Sequence, residues 1–161
     1  MRCLARGAVA LLIMFSAEAH ATDSVCPGAL TDLKAAKAGL GVKSFELQPG
    51  ESAEGGKVNV YVDRHGKPRF VSVQQYGETG KSTMAYALVD GASAYQAEVS
   101  QDYYAAPISQ GSTKIVREEL SRFLVCGRNT VPGVGAQVDK NLAQEAQRVL
   151  ELALGKYGAG R

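Results

Sequence analysis

The 161-residue chain has no tryptophan, two histidines, three cysteines, five prolines and four phenylalanines, and its net charge is only +2. Each shortage excludes something. The one histidine and two cysteines that remain if residues 1–21 are an export signal cannot build an ordinary zinc site without several carboxylates. A near-neutral balance gives no global pull toward nucleic acid or anionic lipid, which needs clustered, uncompensated basic residues. No apolar run reaches the roughly 20 residues needed to cross a bilayer, so no membrane span is expected in the mature chain. The Gly-rich stretches lack a following Lys-Ser/Thr, which leaves phosphate cradling without support.

What is present begins with an export signal. Arg2 and Arg6 precede an apolar run from Gly7 to Phe15, and Ala19-His20-Ala21 has the small-x-small form of a cleavage site. Residues 1–21 read as a cleaved signal peptide and 22–161 as a single periplasmic or secreted domain, large enough to bury a core. Cleavage removes Cys3 and His20. Cys26 and Cys126 then form an even pair in an oxidising compartment, expected as a structural disulfide. Closing a loop of about 100 residues could contribute up to ~4.7 kcal/mol. His65 becomes the sole histidine and falls in a polar turn, without the orienting partner a general base needs.

Leu30, Leu33, Ala36 and Leu40, stopped by Gly39 and Gly41, predict a short N-terminal amphipathic helix. Phe45 and Leu47 suggest a brief strand. Val58, Val60 and Val62 alternate with Asn59 and Tyr61, and Val71 and Val73 alternate with Ser72 and Gln74. With the turn-forming residues 63–68 between them, they predict a β-hairpin. Residues 82–97 fork. Asp90-Gly91 would be a hairpin turn between strands, whereas Met84, Leu88, Ala92 and Tyr95 fit one helical face. Five alanines and few β-branched residues favour helix, and helix is the expectation adopted. Residues 113–126 fit either a helical face or a strand with a buried end. Residues 127–137 read as a loop, and Asp139 is expected to cap a C-terminal helix over 139–155, ended by Gly155.

The stretch from Gly56 through Val58, Val60, Val62, Asp63, Gly66, Val71 and Val73 resembles the start of the TonB C-terminal domain family. That family continues with an Ala-rich helix, an aromatic-x-Pro stretch, a Gly turn and a last strand. Residues 82–97, 103–107, Gly111 and 115–125 fall in that order, so the resemblance covers about residues 56–126. It implies a small β-β-α-β unit with an open sheet edge that accepts an extended peptide by strand addition. The fold expectation is therefore α+β: a small antiparallel sheet of β-β-α-β type, with an N-terminal and a C-terminal helix packed on it.

Function follows as an expectation. Glu118-Glu119 is the only adjacent carboxylate pair singled out, and neighbours along a strand or helix do not converge on one atom. The reading is a non-catalytic periplasmic binding protein, with no cofactor and no metal, that engages a periplasmic or outer-membrane protein or peptide. Its alternative is a periplasmic inhibitor of a cell-wall hydrolase. A small-ligand carrier, with Tyr86, Tyr95, Tyr103 and Tyr104 around a pocket, ranks third. Tyr103 and Tyr104, paired beside Pro107, are the candidate partner-binding residues. Alternating strands and helices over 82–126 would support the family reading, and a continuous antiparallel meander the inhibitor reading.

Overall fold

A computed structural model describes residues 32–51, 53–111, 113–127, 129–132 and 139–160. Seven strands follow one another as an antiparallel meander: β1 (Gly41–Leu47), β2 (Gly56–Val62), β3 (Pro68–Gly77), β4 (Gly80–Asp90), β5 (Ala94–Tyr104), β6 (Ile115–Cys126) and β7 (Asn129–Pro132). A one-turn helix, α1 (Leu33–Ala36), precedes them, and a long helix, α2 (Lys140–Ala159), follows.

The alternation that predicts the 58–73 hairpin sets the register of the whole sheet. Val58, Val73, Met84 and Val99 lie side by side across β2 to β5, and Val60, Val71, Tyr86, Ala97 and Phe123 form the next row across β2 to β6. All nine are buried. The turn between β2 and β3 is held by Asp63, whose Oδ1 accepts from the backbone N–H groups of His65 and Lys67. Gly66 supplies the left-handed residue there, at φ +73°.

Helix α2 covers this apolar face. Ala143, Ala146, Leu150, Ala153 and Tyr157 are buried at spacings of three and four, the stripe of a helix lying on a core. Asp139 caps the helix by accepting from the N–H of Asn141 at 2.8 Å. The helix does not stop at Gly155 but runs on to Ala159. Three further contacts fix its position: Tyr86 Oη donates to Ala146 O at 2.7 Å, Tyr157 Oη donates to Gly66 O at 2.8 Å, and Lys156 pairs with Glu51 at 2.6 Å.

This architecture overturns the β-β-α-β expectation. Residues 82–97 form no helix; they are most of β4, a turn in which Gly91 sits at φ +56°, and the start of β5. Alanine concealed the period. Met84, Tyr86 and Leu88 point to the core while Ala85 and Ala87 face the other side, and apolar residues on both faces hide a two-residue alternation. Pairing with β3 and β5 and burial under α2 then outweigh the helix preference of alanine. The expected N-terminal helix shrinks, within the described residues, to the single turn of α1, ended near Gly39 at φ +72°. Residues 115–126 resolve as strand, and part of the expected 127–137 loop is the short strand β7.

Two core tyrosines make the fold sensitive to alkali. Tyr86 and Tyr95 are fully buried and meet edge to face, with ring centroids 5.7 Å apart. Burial holds the Tyr86 phenol well above its ordinary range, and burial with the nearby Glu151 charge pushes Tyr95 up to about 12. In the unfolded chain a tyrosine ionises near pH ~10. The native state therefore keeps protons that the unfolded state loses, and this stability is complete below pH ~10 and lost as pH rises toward 12. Denaturant midpoints measured from pH 9 upward should fall beyond pH 10. A Tyr95→Phe variant should show a shallower decline, and a wild-type midpoint constant to pH 12 would remove the effect.

Candidate functional site

The sheet is only partly enclosed. In β6, Phe123 to Cys126 are buried, whereas Ile115 to Leu120 are all exposed. The described residues of β7 pair with Phe123, Leu124, Val125 and Cys126. Beyond that point, among the described residues, no strand pairs with the outer side of β6.

The direction of the backbone groups along this edge follows from the ladder. Gly127 N–H donates to Ser93 O at 2.7 Å, so odd-numbered residues of β6 turn toward β5. Antiparallel alternation then gives Arg117, Glu119 and Ser121 to β5 and leaves the N–H and C=O of Glu118 and Leu120 facing outward. A register shift between Tyr103 and Tyr104, opposite Arg117 and Ile115, ends the regular ladder at Val116. Ile115, Val116 and Leu120 are 45%, 60% and 51% exposed, the densest run of exposed large apolar residues in the described chain. The opposite edge, β1, carries one such residue, Val42.

Tyr103 and Tyr104 close β5 beside this edge. Tyr103 Oη donates to Glu119 Oε2 at 3.0 Å, and the Arg117 guanidinium lies 4.0 Å from its ring centroid. Tyr104 is tied by its backbone N–H to Thr79 O. Tyr86 and Tyr95, by contrast, belong to the core, so the four tyrosines do not share a pocket. Glu118 and Glu119 point to opposite faces of β6: Glu119 meets Tyr103, and Glu118 lies 3.4 Å from Ser100 Oγ.

On the α2 side of the sheet, next to Tyr103, a cleft of about 380 Å³ opens between Glu51 and Ala53, the ends of β3 to β5 and the first half of α2. Gln75, Ser82 and Gln101 stand directly opposite one another across β3, β4 and β5 and line it together. The neighbouring row toward the strand ends is Gly77, Gly80 and Tyr103. A Cβ at Gly80 would run into the Asp102 carbonyl oxygen, so the strand approach at this point requires glycine. The wall formed by α2 is Glu145 and Arg148, joined by two hydrogen bonds of 2.9 and 2.6 Å. The Arg148 guanidinium holds the Glu145 carboxyl below its ordinary range. Sequence reasoning missed this cleft, since a Gln-Ser-Gln row drawn from three strands has no signature before the register is known.

Cys126 is disulfide-bonded and buried at the end of β6. Cys26 lies outside the described residues. His65 is exposed in the β2–β3 turn, where Nε2 accepts from Arg64 Nε at 3.1 Å, and among the described residues no carboxylate bonds to its ring. Among the described residues no group of three or more His, Cys, Asp or Glu side chains could hold a metal ion, and no helix is long and apolar enough to cross a membrane. No family model, curated protein or solved structure matches the chain.

Proposed function

We propose that the protein is an exported, non-catalytic binding module that takes an extended segment of a partner protein as an added strand along β6. The observation carrying this reading is the outward-facing backbone of Glu118 and Leu120, to which no described strand is paired. An exposed edge is a template for pairing; main-chain hydrogen bonds supply affinity, and side-chain neighbours supply selectivity. Ile115, Val116 and Leu120 offer apolar contacts beside Arg117 and Glu118, which suits a segment of mixed apolar and charged character. Export and the Cys26–Cys126 pairing belong to the same proposal. Strand addition survives the loss of the β-β-α-β unit because it needs an edge and not the helix once expected at 82–97.

A photo-crosslinking residue at Leu120 tests it, with the same group at Val42 on the β1 edge as control. Mixed with periplasmic and outer-membrane extracts, the Leu120 probe should capture a defined protein that the Val42 probe does not. Equal capture, or none in repeated trials, would count against the β6 edge.

The meander itself favours a second reading, an inhibitor of a cell-wall hydrolase, because each strand from β1 to β7 pairs with the next and no α-helix lies between them among the described residues. A lysozyme assay separates the two. Inhibition at near-stoichiometric amounts would promote this reading, and unchanged activity at a large excess would exclude lysozyme as its target.

A further inference from the structure

We infer that the cleft beside Tyr103 is a binding site for a neutral saccharide, a site that adjoins the strand-addition edge at Tyr103 but is lined by other strands. Gln75, Ser82 and Gln101 present amide, hydroxyl and amide in one row, with neighbours about 5 Å apart by cross-strand geometry. Each can both donate and accept a hydrogen bond. A ligand matching all three must carry several groups with the same double capacity, closely spaced, as the hydroxyls of a sugar ring are.

The charges in the lining argue against an ion. Lys81 is paired with Asp102 at 3.2 Å, Arg148 with Glu145, and Glu51 with Lys156. Lys81 and Asp102 pair across the other face of the sheet, and the cation of the α2 wall, Arg148, is matched by Glu145, so an anion meets no uncompensated positive group. A cation finds each carboxylate already engaged. The paired Glu145 and Arg148 still retain acceptor and donor capacity for hydroxyl groups.

Shape points the same way. Gly77 and Gly80 place no side chains beside the polar row, and this keeps the floor next to Tyr103 open. With Arg117 stacked on the Tyr103 ring and Glu119 holding its hydroxyl, the ring is oriented before any ligand arrives. An aromatic ring beside a row of hydrogen-bonding groups suits a ligand with one apolar C–H face and a polar rim. Finally, Ser82 Oγ is buried without a hydrogen-bond partner. An unmet polar group costs free energy, and rotation of the Ser82 hydroxyl toward a ligand hydroxyl in the cleft would remove that cost.

The test is a titration of the 15N-labelled protein with cellotriose, chitotriose and maltotriose, and separately with sodium phosphate. At least one saccharide should move the amide signals of Ser82, Gln101, Tyr103 and Arg148 in a saturable way, while those of Val60 and Val71 in the core stay still. Tyr103→Phe keeps the ring and should bind nearly as well as the parent protein. Tyr103→Ala should weaken binding by about tenfold, the value of one aromatic contact, and Gln75→Ala with Gln101→Ala by at least as much. Unmoved core signals in each variant certify that it is folded. No saturable shift with any of the three sugars at tens of millimolar, an equal response to phosphate, or full binding by Tyr103→Ala would each overturn the inference.

Discussion

Replacing Leu150 by alanine is expected to destabilise the protein by about 2–5 kcal/mol, the usual range for truncating a buried leucine. Leu150 is fully buried at the centre of the α2 stripe, between Ala146 and Ala153, and belongs to the core shared with β2 to β6. Its helical neighbours on the sheet side include three alanines, which have no larger side chain with which to fill the void. The cavity therefore stays open and its full cost is felt. For a domain of this size the melting temperature should fall by roughly 5–15 °C. Gln147, exposed on the outer face of the same helix, is the control: Gln147→Ala should change stability by no more than ~0.5 kcal/mol. Equal effects at the two positions would mean that α2 is not docked by this face.

Proline at Glu118 should abolish partner binding while leaving the fold intact. The N–H it removes faces outward, so the ladder between β5 and β6 keeps its bonds, and proline is tolerated where a strand's donor faces solvent. An added strand would lose a main-chain hydrogen bond and meet the pyrrolidine ring. Affinity for the captured partner should fall by at least about tenfold, the equivalent of ~1.4 kcal/mol. Proline one residue later has the opposite signature. Glu119→Pro removes a donor directed at β5 and breaks the contact of Tyr103 with Glu119, so stability should fall along with binding. A calorimetric melt beside the binding assay separates the two. Wild-type affinity in Glu118→Pro would show that the partner does not add to this edge.

The legible part of the sequence was the part in which face and residue type coincide. Val58, Val60, Val71 and Val73 alternate with polar neighbours, a pattern that predicts the hairpin they form. Asp139 before the Leu142–Leu154 pattern marked the start of α2, which the structure places at Lys140. Residues 82–97 mislead because the alanines that favour a helix in isolation occupy the second face of β4, alternating with Met84, Tyr86 and Leu88, so that apolar residues fall on both faces. Tyr86 shows the difference most clearly: its hydroxyl reaches Ala146 O across sixty residues of sequence, a contact that no local pattern announces. Of the candidate site residues, Tyr103 lies at both the open edge and the cleft, and Tyr104 at the edge alone. Gln75, Ser82 and Gln101 were invisible because their proximity is a property of register, not of spacing along the chain.

Native-state hydrogen exchange along β6 tests the open edge most directly. The amides of Arg117, Glu119 and Ser121 should be protected by their bonds to β5, and those of Glu118 and Leu120 should exchange close to the rate of an unstructured chain, a period of two along one strand. Adding the captured partner should then protect Glu118 and Leu120 selectively. Protection of Glu118 and Leu120 equal to that of their neighbours in the isolated protein would contradict an edge available for strand addition.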